Sequence, residues 1–117
     1  MEIKELELHA NRIRKNILTE VHSANSGHPG GSLSGADILT EIYFEQMDIN
    51  KDNVDSIDRD RFVLSKGHAS PLLYGTLKEK GLLDDDLTTF RKINSNLQGH
   101  PNMNEVAGVD MSTGWLL

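Results

Sequence analysis

The feature that most constrains this fold is a short apolar segment that runs straight into a glycine turn. Residues 61–65 (Arg-Phe-Val-Leu-Ser) are apolar and β-branched at their centre, which predicts a β-strand. Gly67 follows, and Ser70 and Pro71 then predict the start of a helix. A strand leaves its backbone groups unpaired unless another strand lies beside it. No second confident strand is predicted, so we expect an incomplete part of a larger α/β domain, mostly helical with one or few short strands.

Four helices are predicted around this strand. Apolar residues at spacings of three and four predict a first helix that ends near Ser23. Its stripe is Ile3, Leu6, Ala10, Ile13, Ile17 and Val21. A second helix is predicted after Ser34, which can cap it with Asp37 three residues on. Its expected buried stripe is Ile38, Leu39, Ile42, Tyr43 and Met47.

The third predicted helix has Ser70 as its N-cap and Pro71 in its first turn, and it ends at Gly81. A short fourth helix is predicted through Leu87, Phe90 and Arg91, after three aspartates that favour a helix N-terminus. From Asn94 onward the polar, glycine- and asparagine-rich composition predicts loop.

Composition and charge exclude several classes of protein. The 12 Lys and Arg residues face 18 Asp and Glu residues, for a net charge of −6, and there is no basic stripe. Binding to nucleic acid or to an anionic membrane is therefore not expected. The absence of Cys excludes disulfides, thiolate nucleophiles and Cys-based zinc sites. The charged N-terminus and the lack of a long apolar run predict a cytoplasmic protein without a signal peptide or membrane span.

Three histidines lie in glycine-containing turns. His28 follows Gly27 and His68 follows Gly67, each ahead of a predicted helix, where anion binding and proton transfer are favoured. His100 lies between a Gly and a Pro in a predicted loop. Each could equally be a surface residue of a tight turn. His9 and His22 belong to the first helix and are interpreted as structural or surface residues; no histidine pair has metal-ligand spacing, and no metal site is expected.

Four motifs in order carry a resemblance to a known family. They are Ser-Gly-His-Pro-Gly-Gly-Ser at 26–32, Asp-Arg-Phe-Val-Leu-Ser-Lys-Gly-His-Ala-Ser at 60–70, Leu-Gln-Gly-His-Pro at 97–101 and Gly-Val-Asp-Met-Ser-Thr-Gly at 108–114. Together they resemble the N-terminal, diphosphate-binding domain of transketolase, over nearly the whole chain. The related deoxyxylulose-phosphate synthases rank lower, since they carry Asp-Val-Gly-His where this chain has Ser-Lys-Gly-His.

The resemblance implies a thiamine diphosphate enzyme that moves a two-carbon ketol unit from a ketose phosphate to an aldose phosphate, in the pentose phosphate pathway. It implies that His28 is catalytic and substrate-binding, that His68 contacts the cofactor diphosphate, and that His100 binds the donor's first hydroxyl. Gly114, Trp115 and Leu116 match backbone that lines the cofactor. The partners implied are sugar-phosphate substrates and a C-terminal transketolase portion or a homodimer.

The sequence also departs from the family pattern. After Ser-Thr-Gly the family continues with a small residue and then Leu-Gly-Gln-Gly, whereas this sequence reads Trp115, Leu116 and Leu117. The Gly-Asp-Gly motif whose Asp holds magnesium is absent. The chain is therefore expected to be truncated before the magnesium-binding motif and inactive alone. A non-catalytic truncated or frameshifted product, and a subunit that needs a partner chain, both remain open.

Overall fold

The structure, a computed structural model, describes residues 1–112. Its α-helices are α1 (Ile3–Ala24), α2 (Pro29–Leu33), α3 (Ala36–Glu41) and α4 (Ser70–Lys80). A π-helical turn (Ile42–Gln46) continues α3, and single 3₁₀ turns lie at Gly67–Ala69 and Leu87–Thr89. The mostly helical character predicted from the sequence is confirmed. No helix within the described part of the chain is both long and apolar enough to cross a membrane.

The longest helix, α1, provides the surface on which α3 and α4 pack. Ala10, Ile13 and Ile17 of the predicted stripe are buried in the core, whereas Ile3 at the start of the helix is exposed. The helix ends at Ala24, and its C-cap residue Asn25 adopts a left-handed conformation (φ 51°) and donates its N–H to the carbonyl of His22. The predicted end near Ser23 is therefore confirmed to within two residues.

Helix α4 is almost entirely buried and lies at the centre of the core. It ends at Gly81, whose φ of 85° is the left-handed geometry that favours glycine at this position. Its start differs from the prediction by one residue, because Ala69 occupies the N-cap position and Ser70 is the first helical residue. The Ser70 hydroxyl does not cap the helix because it donates to a neighbouring loop instead.

The region predicted as one second helix is divided into α2, α3 and the π-helical turn. Gly35, not Ser34, occupies the N-cap position of α3, and a Cβ atom at Gly35 would overlap the buried Leu72 side chain. The glycine therefore allows α3 to approach α4 closely. Leu39 is buried as predicted, but Ile38 is 62% exposed, so the predicted stripe is wrong at that position.

The strand predicted at residues 61–65 is not formed, and residues 1–112 contain no strand. Side-chain burial along this segment nevertheless alternates, since Leu64 is buried while Val63 and Ser65 are exposed. The physical reason for the missing strand is that the segment borders helices and has no neighbouring strand with which to form a ladder. The α/β class is therefore not confirmed within these residues.

The predicted fourth helix is also reduced, to the single 3₁₀ turn at Leu87–Thr89. The Asp86 carboxylate accepts the backbone N–H of Thr88 at 2.9 Å and caps this turn. Phe90 is then extended and Arg91 has a φ of 62°, so the backbone reverses. The Arg91 N–H donates to the carbonyl of Leu97 at 2.7 Å, and this hydrogen bond replaces the next helical one. The loop predicted from Asn94 is confirmed as far as residue 112.

Candidate active site

Two of the three predicted histidines lie side by side. The rings of His28 and His68 have centroids 5.4 Å apart and planes at 89°, an edge-to-face arrangement. His28 occupies the position just before α2, and Gly27 before it has a φ of 129°, a conformation that other residues rarely adopt. Both histidines are solvent-exposed. The sequence prediction that both histidines precede a helix is confirmed by their positions.

The turn that carries His68 lies directly against the glycine-rich turn that carries His28. His68 is the middle residue of the Gly67–Ala69 turn, which leads into α4. A Cβ atom at Gly31 would lie 3.5 Å from the His68 Nε2 atom, so the two turns are close enough there for any added side chain to touch the imidazole. At Gly30 the same added atom would have no neighbour within 4 Å, so the backbone on that side is open. An open glycine backbone beside two imidazoles can accommodate a polar ligand.

Lys66 is a site residue that the sequence analysis did not single out. Its ammonium donates to the carbonyl of Gly31 at 2.5 Å and to the Ser34 hydroxyl at 3.2 Å. These contacts place a positive charge between the two histidine turns, in a chain whose net charge is −6. The signal in the sequence was its place in the second motif, two residues before His68.

His100 is positioned by the first residue of α4. The buried Ser70 hydroxyl lies 2.9 Å from each of two carbonyl oxygens, those of Gln98 and Gly99, so its single proton serves both. The loop that holds His100 is thereby attached to α4 two residues after His68. The described contacts include no hydrogen bond or ring contact between His100 and either of the other two histidines, so the structure pairs His28 with His68 and does not bring the His100 side chain to them.

A buried ion pair holds the fourth motif and was also missed. The guanidinium of Arg59 pairs with the carboxylate of Asp110, and both side chains are almost fully buried. The second Asp110 oxygen accepts the backbone N–H of Phe62 at 2.6 Å, and Arg59 also donates to the carbonyls of Val54 and Asp60. Asp110 therefore fixes the last described part of the chain to the segment that leads to His68. The presence of an acidic residue inside the fourth motif was the available signal.

Gly114, Trp115 and Leu116, which the sequence analysis also placed at the site, lie outside the described residues.

The Ser32 hydroxyl, in α2, is fully buried and has no hydrogen-bond partner among the described residues. Within residues 1–112 no group of three His, Asp or Glu side chains could hold a metal ion. The site therefore consists of imidazoles, an ammonium and hydroxyls, which suit an anionic, hydroxyl-rich ligand and proton transfer.

Comparison with known proteins gives one consistent result. Residues 6–116 match the family described as transketolase, thiamine diphosphate binding domain. A subunit of the apulose-4-phosphate transketolase of Phocaeicola vulgatus is 41% identical over 117 residues, which are 99% of this chain and 41% of that protein. Transketolase 2 of Vibrio parahaemolyticus is 42% identical over 107 residues, which are 90% of this chain and 16% of that protein. The chain thus spans less than half the length of these curated relatives.

Solved structures agree with the sequence matches. The transketolase of Campylobacter jejuni superposes with a TM-score of 0.85 at 40% identity, over 97% of this chain and 18% of that one. The Pichia stipitis transketolase in complex with sedoheptulose 7-phosphate gives a TM-score of 0.84 at 38% identity, over 94% of this chain and 16% of that one. With four sequence motifs, two paired histidines and this coverage in agreement, the chain belongs to the transketolase family and has the fold of its thiamine diphosphate binding domain.

Proposed function

We propose that this chain forms part of an active transketolase, which transfers a two-carbon ketol unit from a ketose phosphate to an aldose phosphate. The observation that carries the proposal is the edge-to-face placement of His28 and His68, 5.4 Å apart, on two turns far apart in sequence. Adjacent imidazoles can bind sugar hydroxyls and move protons near neutral pH. A structural pair would be expected in the core, whereas both of these histidines are exposed.

The three histidines have different roles in this proposal. His28 is the catalytic residue on the substrate side, because it lies on an exposed turn beside an open glycine backbone. His68 binds the cofactor diphosphate, because it lies in the turn that begins α4 and has Lys66 close in sequence. His100 binds the first hydroxyl of the donor sugar, and Ser70 holds its loop near α4.

The described residues fit the diphosphate of thiamine diphosphate. Lys66 and His68 provide a cation and a hydrogen-bond donor, Gly30 leaves open space, and the buried Ser32 hydroxyl lacks a partner among the residues the structure describes. When bound, the cofactor supplies the stabilisation of the carbanion that the reaction needs. This chain's residues hold its anionic end and exchange protons with the sugar. Gly114, Trp115 and Leu116 are proposed to line the cofactor as well.

Magnesium does not fit the described residues, since they contain no group of acidic or imidazole ligands. Because magnesium is the usual neutraliser of a bound diphosphate, we expect the 117-residue chain to bind thiamine diphosphate only weakly. Calorimetry with and without Mg²⁺ tests this expectation, and micromolar binding that depends on Mg²⁺ would contradict it.

We further propose that residues 1–117 are part of one α/β domain in which residues 61–65 become a strand. Within the described chain the N–H groups of Val63, Leu64 and Ser65 make no hydrogen bond. Beside them lies an apolar groove of about 540 Å³ between this segment and α3, which includes the exposed Ile38. Unpaired backbone next to an apolar groove supports pairing with strands from outside the described residues.

The relatives support sugar phosphates as substrates and a partner chain as the source of missing parts. Pichia stipitis transketolase has been solved with sedoheptulose 7-phosphate and with fructose 6-phosphate. The Phocaeicola vulgatus relative is named as one subunit of its transketolase, which supports a partner chain here too. The cytoplasmic location and the pentose phosphate pathway predicted from the sequence belong to the same proposal.

A graft tests the proposed function directly. Residues 1–112 replace the corresponding segment of the Campylobacter jejuni transketolase, whose structure matches this chain with a TM-score of 0.85. We expect this graft to transfer a ketol unit from fructose 6-phosphate to an aldose phosphate in the presence of thiamine diphosphate and Mg²⁺. The matched control is the same graft with His22→Ala, which removes an exposed imidazole on α1 and should leave turnover unchanged.

The decisive comparison is between folded proteins. A graft that melts cooperatively and binds the cofactor, yet shows no ketol transfer, would contradict the proposed function. That result would favour the alternative of a non-catalytic product. Inactivity of the 117-residue chain alone would not distinguish the two, because its relatives are longer.

A further inference from the structure

Lys66 connects two segments of the chain through its side chain. Its ammonium lies 2.5 Å from the Gly31 carbonyl oxygen and 3.2 Å from the Ser34 hydroxyl oxygen. Both acceptors lie more than thirty residues earlier in the chain. Hydrogen bonds from a charged donor are shorter and stronger than neutral ones, so this contact holds the two segments at a fixed separation.

The segment held by Lys66 has little stability of its own. Helix α2 has five residues, and a helix so short is not stable in isolation. The Ser32 N–H donates to the carbonyl of His28 at 3.2 Å, and the Ser34 N–H donates to that of Gly30 at 3.0 Å. Each of these hydrogen bonds closes one turn of helix. His28, Pro29 and Gly30 are all exposed. The position of His28 therefore depends on the contacts that α2 makes with α1, with α4 and with the turn that carries His68.

The same contact fixes His28 relative to His68. Lys66 is two residues before His68, and its acceptor Gly31 is three residues after His28, at a position where an added Cβ atom would lie 3.5 Å from the His68 Nε2 atom. We propose that Lys66 is a positioning residue whose ammonium clamps the glycine turn of His28 onto the turn of His68, and so sets the separation of the two imidazoles during ketol transfer. This inference rests on the proposed function for its catalytic part, while the clamp itself can be measured without turnover.

The test compares Lys66→Met with Lys66→Arg and a matched control, Lys78→Met. Lys78 also donates to backbone carbonyls, those of Asp84 and Asp85, but at the far end of α4. Lys78→Met therefore removes comparable hydrogen bonds to backbone carbonyls without changing either histidine turn. The variants are made in the 117-residue chain and in the Campylobacter jejuni graft.

Two readouts are expected to move together in Lys66→Met. Backbone amide exchange at residues 28–35 should increase about tenfold or more, as loss of a hydrogen bond to a charged group predicts. In the graft at saturating thiamine diphosphate, where any loss of cofactor affinity is overcome, kcat should fall about 10- to 100-fold, because a misplacement of ~1 Å at a catalytic group costs on that order. The KM for the ketose donor should change much less than kcat, since the sugar's binding groups remain. Lys66→Arg should restore part of kcat because it keeps a charged donor of similar reach.

Each alternative result has a definite meaning. Unchanged exchange at residues 28–35 in Lys66→Met overturns the clamp. Faster exchange with unchanged kcat overturns the positioning role. An equal fall in kcat for Lys66→Met and Lys78→Met shows a general loss of stability and also overturns it. An inactive parent graft counts against the proposed function, and amide exchange in the two Met variants then decides the clamp separately.

Discussion

The ring of His28 stands perpendicular to the ring of His68, with 5.4 Å between their centroids. The two residues are brought together by the packing of one glycine turn against another, since His28 precedes α2 and His68 precedes α4. Neither histidine is buried, so the pair contributes little to the core. An exposed pair held at a fixed angle by backbone turns is the arrangement expected of groups that act on a ligand.

The first prediction separates the roles of these two histidines. In the graft, His28→Ala should lower kcat by about 10²–10⁴-fold with little change in cofactor affinity, because the role proposed for His28 is proton transfer on the substrate side. His68→Ala should weaken cofactor binding by about one to two orders of magnitude, which corresponds to the loss of a hydrogen bond to a charged group. Steady-state kinetics over a range of thiamine diphosphate concentrations measures both effects.

The control for this prediction is the cofactor concentration itself. Saturating thiamine diphosphate should rescue most of the activity of His68→Ala and almost none of that of His28→Ala. Rescue of His28→Ala and not of His68→Ala would show that the assigned roles are reversed.

The second prediction concerns the loop of His100. Ser70→Ala removes the hydroxyl that donates to the carbonyls of Gln98 and Gly99, and leaves both acceptors without that donor. We expect a loss of about 1–3 kcal/mol in the free energy of unfolding, together with a raised KM for the ketose donor. Thr76→Val is the matched control, since the Thr76 hydroxyl is equally buried in α4 but bonds only the Leu72 carbonyl of its own helix. An equal rise in KM in both variants would contradict a role in holding His100.

The third prediction concerns the buried ion pair of Arg59 and Asp110. Asp110→Ala leaves the buried Arg59 guanidinium without its counter-charge, so it should cost about 3–5 kcal/mol in the free energy of unfolding. Arg59→Met should cost less, because Arg61 at 3.5 Å still pairs with the Asp110 carboxylate. The double variant should cost less than the sum of the two, as measured by urea denaturation of the graft. Arg14→Met is the control, because Arg14 pairs with the exposed Asp37 and such pairs contribute at most about 1 kcal/mol. Additive effects of Arg59→Met and Asp110→Ala would show that the two side chains do not stabilise each other.

The fourth prediction is a pH dependence caused by Glu20. This residue of α1 is fully buried, and neither carboxyl oxygen has a partner among the described residues. Burial raises the pKa of Glu20 to about 10, from an ordinary value of 4.5. Between pH 4.5 and about 10 the Glu20 carboxyl therefore keeps its proton in the folded protein and loses it in the unfolded chain. The contribution of Glu20 to the free energy of unfolding is complete below about pH 4.5. It decreases as pH rises from there to about 10, by up to about 1.4 kcal/mol per pH unit.

Glu20→Gln should remove this dependence because the amide does not ionise. The urea midpoint of the variant graft, relative to the parent graft, should rise as pH is increased from weakly acid to alkaline. Glu7→Gln, at an exposed position on the same helix, should show no such trend. A constant difference between Glu20→Gln and the parent at all pH values would mean that Glu20 is ionised in the folded protein.

Local signals in the sequence predicted the long elements and the histidine turns. The apolar spacing of Ala10, Ile13 and Ile17 predicts α1, and Gly81 predicts the end of α4, because these signals act within a few residues. The strand at residues 61–65 was predicted by composition and is not formed, since a strand depends on a neighbour that local sequence does not supply. Lys66, Ser70 and Asp110 were missed for a related reason. Their partners lie 28 to 51 residues away in sequence, and no local pattern indicates such contacts.

The five residues from Lys66 to Ser70 hold the loops of both other histidines, one through Gly31 and one through Gly99. If the proposed function holds, this arrangement affects attempts to change the preference for a donor sugar. Substitutions between positions 66 and 70 should alter the surroundings of both His28 and His100. A substitution selected for its effect on one of these two histidines would therefore also disturb the other. Residues 103–105, which follow His100 and are exposed, can be substituted without changing the anchor formed by residues 66–70.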